Sequence, residues 1–383
     1  MTAQEKNYII LLSLAIGSQT ALPQTPDYPK LLEIAQAHGT ANLLCYGVGK
    51  LPQELQPKPA MRGVLKQIAY TGAIRETMQA QELTALFQAF PEAKLRVLPL
   101  KGCLIKHLYP KPEMRHMSDV DLLIDPAEAA RVRELLEGIG WKCDKFDVGD
   151  TDLYTSPSGF CYEVHRSLEN EGGWTETRTF CAALLEYAAG EYVRELSPEQ
   201  HFAYLLCHFV KHLINGGIGV RQVMDLFLCR RTVDPAKLEA LLTELKLAEF
   251  DRTAEALGRY WFEAAPPVGA AAELGDYVLG SGVFGTEEQR VTDWMLQEQD
   301  SKSSYLVRRL FPPMKLMRGY FPVLKRWPVL LPAFWIYRIL RAVFARRGKL
   351  RTEVDTLRRT DADEVQARAA FYGRCGLRIY DEK

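Results

Sequence analysis

The residues best suited to do chemistry in this chain form a short acidic motif at positions 118–121, Ser-Asp-Val-Asp, followed by an apolar run. The apolar run predicts a β-strand, on which successive side chains point to opposite faces. Asp119 and Asp121 then lie on one face, with Cα atoms about 7 Å apart, while Val120 and Leu122 enter the core. Two neighbouring carboxylates make a hard, oxygen-only site that suits Mg²⁺. The motif therefore indicates metal-dependent phosphoryl chemistry.

Two pairs of polar residues further along the chain have helical spacing. His208 and His212 are four residues apart, as are Arg221 and Asp225, so each pair falls on one helix face. The histidine pair has no third ligand beside it and lacks the intervening Glu of a zinc protease, so packing beside the sheet is favoured over zinc binding. For Arg221 and Asp225, a structural ion pair and a nucleotide contact both remain open.

The elements that must position these residues follow from apolar spacing and turn signals. Apolar residues three and four apart predict helices at 30–38 and 67–90, and the stretch 8–17 favours a first amphipathic helix over a signal peptide. The middle of the chain has a short apolar run at 95–100 and predicts strands at 120–124, 141–148, 153–156 and 160–166, helices at 102–109 and 126–139, and a hairpin turn at 157–159. From residue 197 the pattern is helical again.

This order of elements predicts an α+β fold, in which a small mixed β-sheet with helices packed on one side is set between helical regions. Four segments are expected along the chain. They are an N-terminal helical region (1–92), a core that carries the acidic motif (93–196), a helical domain (197–300) and a C-terminal basic and aromatic helical tail (301–383).

Composition argues against several classes of protein. The chain has 383 residues, 47% of them hydrophobic, which is enough for a sizeable core in two or three domains. The 48 basic residues equal the 48 acidic ones, so no whole-chain field attracts nucleic acid, and a nucleic-acid partner is disfavoured. The eight cysteines are scattered, without a C-x-x-C pair or a His at zinc-ligand spacing, which indicates reduced thiols and a cytoplasmic location.

Further motifs lie before and after the acidic pair along the chain. They are Leu100-Lys101-Gly102, Tyr109-Pro110, Arg115, the run from Ser118 to Ile124, and Glu163-Val164-His165. Together they resemble an uncharacterised nucleotidyltransferase family of the DNA polymerase β-like superfamily. His201, His208-x-x-x-His212 and Gly219-Val220-Arg221-x-x-x-Asp225 resemble the helical motif of that family. The stretch from Leu310 to Trp335 resembles its C-terminal part.

The resemblance implies a nucleotidyltransferase core and a role for each carboxylate. Glu163, on a neighbouring strand, would converge with Asp119 and Asp121 to hold two Mg²⁺ ions, with Mn²⁺ as an alternative. Asp119 and Asp121 would bridge the metals, while Glu163 would hold the catalytic metal and help to deprotonate an acceptor hydroxyl. His165, two residues beyond Glu163, projects to the same face, where it either orients an acceptor or is a structural histidine. A D-x-D motif alone is common on solvated strands, so the case for catalysis depends on Glu163 and on the glycine turn at Gly102.

Candidate phosphate contacts come from the turn before the acidic motif. Members of the superfamily usually carry Gly-Ser or Gly-Gly there, whereas this chain has Lys101-Gly102, so Lys101 would supply charge in place of a hydroxyl. Gly102 permits a tight turn with free backbone N–H groups, and the guanidinium fork of Arg115 suits a pair of triphosphate oxygens. Ser118 completes the set. The alternative is that Lys101 and Arg115 are surface ion-pair partners.

The expected activity is magnesium-dependent transfer of a nucleoside monophosphate to a hydroxyl, with release of pyrophosphate. ATP is the favoured donor, and the acceptor is a small molecule or a protein. The atypical turn at Lys101 and Gly102 leaves an alternative open, a catalytically inactive nucleotide-binding or regulatory protein with the same fold. The C-terminal tail leaves a further alternative, a membrane-surface-associated scaffold.

The C-terminal tail has two interpretations. Basic residues between 315 and 349 interleave with aromatic ones. They are Lys315, Arg318, Lys325, Arg326, Arg338, Arg341, Arg346, Arg347 and Lys349, with Tyr320, Phe321, Trp327, Phe334, Trp335 and Tyr337. They could hold the protein peripherally at an anionic membrane surface, or form a helical cap whose apolar stripe packs on the core, which is the favoured interpretation. The apolar stretch 327–344 is interrupted by arginines and is too short to span a bilayer.

Overall fold

Four helices form the N-terminal part of the chain, and local sequence explains where they begin. They are α1 (Ala3–Ala15), α2 (Tyr28–Ala37), α3 (Ala41–Gly49) and α4 (Pro59–Glu92). Thr2 and Glu5 form a capping box at the start of α1, and the side chain of Asp27 accepts a hydrogen bond from the backbone N–H of Lys30 at the start of α2. The helices predicted at 8–17, 30–38 and 67–90 are confirmed. The computed structural model describes residues 1–18, 22, 25–282, 285–298, 307, 309–345 and 362–377.

A five-stranded sheet follows, with two short helices among its strands. The strands are β1 (Leu98–Pro99), β2 (Asp119–Leu123), β3 (Lys142–Lys145), β4 (Thr151–Thr155) and β5 (Cys161–His165), and the helices are α5 (Gly102–Ile105) and α6 (Ala129–Gly138). The strand order is β1-β2-β5-β4-β3, with β2 and β5 parallel and the other pairs antiparallel. This confirms the predicted small mixed sheet. The helices predicted at 102–109 and 126–139 are each part 3₁₀, at Lys106–Leu108 and Pro126–Glu128.

The two faces of the sheet have different surroundings. Val120, Leu122 and Val164 point to one face, where they join a hydrophobic core with residues of α6 and the C-terminal half of α4. This is the helical layer that the sequence predicted on one side. The opposite face is covered only in part, where Leu98 and Leu123 join a second and larger core. The rest of that face carries the acidic motif.

The larger core belongs to the helices that follow the sheet. These are α7 (Thr175–Ala182), α8 (Leu184–Tyr187), α9 (Pro198–Leu213), α10 (Val220–Cys229), α11 (Pro235–Glu244), α12 (Ala248–Phe262), α13 (Ala271–Ser281) and α14 (Glu287–Glu298). Further 3₁₀ turns lie at Gln53–Leu55, Pro112–Met114, Glu169–Glu171, Arg230–Thr232 and Pro328–Leu330. Buried residues of α1–α3 share this core with α9, α10 and α12. The helices that precede the sheet in the sequence therefore pack against those that follow it. The fourfold division of the chain stays a prediction.

The tail consists of α15 (Met314–Tyr320), α16 (Val323–Arg326), α17 (Leu331–Ala345) and α18 (Ala362–Arg374). Tyr372 of α18 is buried, and its hydroxyl donates to Oδ1 of Asp293 at 2.6 Å. Arg346, Arg347 and Lys349 lie outside the described residues, as does the side chain of Lys315. Among the helices that the structure describes, none is both long and apolar enough to cross a bilayer.

Candidate active site

The pairing of β2 with β5 brings three titratable side chains together on the open face of the sheet. Asp121 lies opposite Glu163, and Leu123 lies opposite His165. Nε2 of His165 is 2.9 Å from Oδ1 of Asp121 and 3.8 Å from Oε2 of Glu163. On β4, the hydroxyl of Thr151 is 3.0 Å from Nδ1 of His165 and gives the imidazole its second partner. Strand register therefore positions all three groups.

Lys101 reaches the same carboxylate from the turn after β1. Its Nζ donates to Oδ1 of Asp121 at 2.9 Å, and both side chains are largely buried. Burial alone would raise the pKa of the Asp121 carboxyl, but Lys101 and His165 outweigh burial and hold that pKa well below its usual range. Burial likewise opposes the charge of Lys101, yet Asp121, Glu171 and Glu163 together raise the pKa of Lys101 above its ordinary value. Both partners are thus charged near neutral pH.

Asp119 lies at the start of β2, opposite Cys161 and half-buried. Its Oδ1 accepts a hydrogen bond from the exposed Ser118 hydroxyl at 3.2 Å. The resemblance implied that Asp119 converges with Asp121 and Glu163. In the described part of the chain, the ligand atoms that lie within 4.8 Å of one another belong instead to Asp121, Glu163 and His165. A metal-binding role for Asp119 and a phosphate contact for Ser118 stay predictions.

The donor set of this cluster fits a divalent cation. Asp121 and Glu163 offer carboxylate oxygens, and His165 offers a ring nitrogen. Burial raises the pKa of Glu163, and the carboxylates of Asp121 and Asp119 raise it further, against the opposing effects of His165 and Lys101. The negative charge of the cluster is therefore only partly compensated, and a cation held by Asp121 and Glu163 would compensate it.

Arg115, predicted to bind phosphate, forms a buried ion pair with Asp225 of α10. Nε and Nη2 of Arg115 donate to the two carboxylate oxygens of Asp225 at 2.8 and 2.7 Å, and the Tyr109 hydroxyl donates to Oδ1 at 2.8 Å. Burial opposes the charge of Arg115, but Asp225 raises the pKa of the guanidinium above its ordinary value. The pair joins the sheet region to α10. Arg115 is therefore an ion-pair partner, as the alternative to phosphate binding stated, but the pair is buried and not on the surface. A phosphate contact of Arg115 stays a prediction.

The glycine turn differs from the expectation in one respect. Lys101, and not Gly102, adopts a left-handed backbone, with φ 48°. Gly102 is required for a different reason, since a Cβ at this position would lie 2.4 Å from Nη1 of Arg115 and 2.6 Å from Sδ of Met117. Its lack of a side chain lets the start of α5 pack against the Arg115–Asp225 pair.

Arg221, four residues before Asp225, does not form the ion pair that the spacing allowed. Its Nη1 donates to the backbone oxygen of His116 at 3.0 Å, while its Nε is buried with no hydrogen-bond partner among the described residues. Burial lowers the pKa of Arg221, and Arg115 lowers it further, with Asp225 and Asp119 opposing. Arg115 takes both oxygens of Asp225 because its fork is aligned with them.

Arg75 of α4 is a cation that the sequence analysis missed. Its guanidinium lies 4.7 Å from the centroid of the Phe160 ring, and its Nε is buried with no hydrogen-bond partner in the part of the chain that the structure describes. Burial lowers the pKa of His116, and Arg75 and Arg221 lower it further, while Asp119 opposes them. The charges of Arg75 and Arg221 therefore both act on His116, which precedes the acidic motif. No spacing signal could reveal this, because Arg75 precedes the motif by about forty residues.

Glu171 is a second residue that the sequence analysis missed. It is buried in the 3₁₀ turn after β5, where Oε2 is 2.6 Å from Nδ1 of His208 and Oε1 accepts from Nζ of Lys211 at 2.7 Å. Burial lowers the pKa of His208 and Lys101 lowers it further, although Glu171 opposes them. Burial also lowers the pKa of His212 to about 3, and its ring lies 4.4 Å from that of His208. His208, Lys211 and His212 share one face of α9, and this grouping of basic side chains in the sequence indicates an acidic partner.

Comparison with protein families gives the context for this geometry. The profile of a family described as an uncharacterised nucleotidyltransferase matches residues 24–263, which is more than half of the chain. The chain belongs to this family. The match includes every residue of the cluster around Asp121, and membership supports a transferase that acts on nucleotides. No curated protein and no solved structure matched this nucleotidyltransferase.

Proposed function

We propose that this nucleotidyltransferase transfers AMP from ATP to a hydroxyl of a small molecule or a protein, with Mg²⁺ as its cofactor. The observation that carries the proposal is the in-register pairing of Asp121 with Glu163, with His165 and Lys101 hydrogen-bonded to one oxygen of Asp121. Such a cluster is built to hold charge in fixed positions, as phosphoryl transfer requires. The eight unpaired cysteines agree with a cytoplasmic location, which is part of the proposal.

Asp121 and Glu163 would hold the metal, with Asp119 as the further ligand that the family resemblance implies. Two bound Mg²⁺ ions, or Mn²⁺ in their place, would stabilise the attacking and leaving oxygens of an in-line displacement. His165 fixes the orientation of Asp121, because Thr151 holds its other ring nitrogen. A ligand whose own partners are fixed loses little entropy when it binds.

The reaction forms one bond and breaks one. The acceptor oxygen bonds to the α-phosphorus, the bond from that phosphorus to the bridging oxygen breaks, and pyrophosphate leaves with the bonding electrons. Glu163 is placed to take the acceptor proton, because it is the most exposed carboxylate of the cluster, at 35%. Burial and the neighbouring carboxylates raise its pKa, which makes Glu163 a better proton acceptor than Asp121.

The resemblance implies Arg115 as a phosphate ligand, but Asp225 already matches the charge of Arg115, so other cations would share the binding of the triphosphate. Lys101 carries one charge beside Asp121, and Arg221 carries another within electrostatic range of Asp119. The buried Nε of Arg221 has no hydrogen-bond partner among the described residues, so an anionic oxygen would satisfy it. Arg115 then positions Gly102 and the turn.

The test is a transfer assay with α-labelled ATP, Mg²⁺ and a cell extract as the source of acceptor. Asp121→Asn keeps the size of the side chain and removes its charge, so transfer should fall on the order of 10²- to 10³-fold. Glu137→Gln, the same change on the exposed face of α6, is the control and should transfer normally. Full transfer by Asp121→Asn would show that the assignment is wrong.

A second candidate is a nucleotide-binding protein without turnover. It is favoured by Lys101, whose ammonium already compensates Asp121. Calorimetry with ATP and Mg²⁺, followed by a pyrophosphate assay, separates the two functions. Binding without pyrophosphate release, in the presence of the extract, would support the second candidate.

A further inference from the structure

The tail carries many apolar side chains that remain exposed in the part of the chain that the structure describes. Trp327, Val329, Ile336 and Tyr337 are 55%, 78%, 59% and 50% exposed. Leu316, Tyr320, Val323, Leu330 and Leu340 are exposed as well. We call these side chains, with the exposed Arg318, Arg326 and Arg341, the tail surface. Exposed apolar side chains concentrated in one segment of a folded protein indicate an interaction site.

The tail has its own packing and is held to the sheet, so the exposed side chains are presented by ordered structure. Met317 and Leu324 are fully buried, and the rings of Phe321 and Phe334 lie 4.4 Å apart. Nζ of Lys325 donates to Oδ2 of Asp147, in the loop between β3 and β4, at 2.9 Å. The helical-cap interpretation accounts for the buried residues of the tail and leaves the tail surface unexplained.

Charge indicates what the tail surface would contact. Residues 302–351 include thirteen lysines and arginines and no acidic residue, although the chain as a whole is neutral. Arg318, Arg326 and Arg341 are exposed, and they lie in α15, α16 and α17 respectively. Apolar and aromatic side chains surrounded by cations fit the interface of an anionic bilayer, where apolar groups enter the acyl boundary and cations meet headgroups.

Other occupants fit the tail surface less well. A second copy of the chain would bring two sets of like charges together, which opposes association. Single-stranded nucleic acid binds through aromatic rings that stack on bases, whereas Val329, Leu330, Ile336 and Leu340 are aliphatic. Aliphatic side chains gain most by leaving water for the edge of a hydrocarbon layer.

We propose that the tail surface docks this nucleotidyltransferase on membranes rich in anionic lipid, with Trp327 and Val329 entering the interface. This proposal does not depend on the activity of the Asp121 cluster. It places the enzyme at the surface of a membrane without crossing it.

The experiment is flotation of the full chain with phosphatidylcholine vesicles, with and without phosphatidylglycerol. We expect at least about tenfold more bound protein on the anionic vesicles, and a decrease as salt is added, because counterions screen the headgroups. The double variant Trp327→Ser, Val329→Ser should lose at least about tenfold in binding. The charge variant Arg318→Gln, Arg326→Gln, Arg341→Gln should also lose at least about tenfold in binding to the anionic vesicles.

The control is Val64→Ser, Tyr70→Ser on α4, which removes exposed apolar side chains of similar size far along the chain from the tail. It should bind like the unmodified protein. Circular dichroism of each variant checks that the fold is kept. The proposal would be overturned if the protein did not bind anionic vesicles, or if the control variant lost as much binding as the tail variants. It would also be overturned if the protein self-associated or bound RNA through Trp327 and Val329 and did not bind lipid.

Discussion

Nζ of Lys101 and Nε2 of His165 both lie 2.9 Å from the same carboxylate oxygen, Oδ1 of Asp121. Lys101 arrives from a left-handed backbone position, at φ 48° and ψ −117°, which costs a non-glycine residue on the order of 1–3 kcal/mol. That conformation brings its ammonium to Asp121. Since the ammonium and a divalent cation would compete for the same negative charge, Lys101 sets how readily Asp121 accepts a metal.

The first prediction is that Lys101→Met binds Mn²⁺ more tightly than the unmodified protein. Removing the competing cation should strengthen binding about tenfold, which corresponds to ~1.4 kcal/mol. Titration followed by electron paramagnetic resonance of free Mn²⁺ measures the change, and Lys66→Met on exposed α4 is the matched control. Unchanged or weaker binding would mean that Lys101 does not compete for the cation.

The sequence alone predicts which face of a single strand each side chain occupies. The apolar run after Asp119 gave the strand, and the period of two put Asp121 on the face opposite to Val120 and Leu122. The fold class followed from the order of helices and strands. His165 was assigned to the correct face by the same argument, but its bond to Asp121 depends on the register between β2 and β5, which one strand alone does not contain.

Contacts between distant segments were not readable. The spacing of four residues allowed an ion pair between Arg221 and Asp225 and left a nucleotide contact open, yet the carboxylate of Asp225 binds Arg115, which is 110 residues away. Glu171 and Arg75 were missed because each meets the site from an element with no motif of its own. Helix spacing shows which residues share a face, and tertiary packing decides which partner that face meets.

The second prediction concerns Gly102, whose absent side chain leaves room for Arg115 and Met117. Gly102→Ala should destabilise the fold by about 1–3 kcal/mol, because the added methyl would overlap the buried Met117 side chain and the Arg115 guanidinium, which Asp225 holds in place. Gly63→Ala is the matched control, since a Cβ at Gly63 of α4 meets no atom within 4 Å. That control should gain up to about 1 kcal/mol from helix propensity. Equal effects in urea unfolding would contradict the packing argument.

The third prediction is that Asp225→Asn lowers the free energy of unfolding by about 3–5 kcal/mol, because it leaves the buried Arg115 charge without a counterion. The measurement is urea denaturation monitored by tryptophan fluorescence. The double variant Arg115→Met, Asp225→Leu replaces both charges by apolar groups and should recover more than half of the loss. If the double variant were as unstable as Asp225→Asn, packing and not the unpaired charge would be the cause.

The fourth prediction is a loss of stability in acid that depends on His38, which is buried between α2 and α10. The backbone N–H of Val220 donates to Nδ1 of His38 at 3.4 Å, so this nitrogen is an acceptor and the ring is neutral. Burial lowers the pKa of His38 to about 4, against the opposing effects of the Leu279 carbonyl and Glu5. The unfolded chain takes up this proton near its ordinary pKa of about 6.5.

Between these two pKa values the unfolded state binds more protons than the folded state, so stability falls as the pH falls. The contribution of His38 is complete above pH ~6.5 and decreases by about 3 kcal/mol on the way to pH ~4. Urea unfolding of the unmodified protein and of His38→Gln, repeated from neutral pH down to pH ~4, isolates this contribution from that of the other histidines. The stability gap between the two proteins should narrow steadily in acid, because the glutamine cannot take up a proton. Parallel curves would show that His38 is protonated equally in the folded and unfolded states, and that its bond to Val220 does not require a neutral ring.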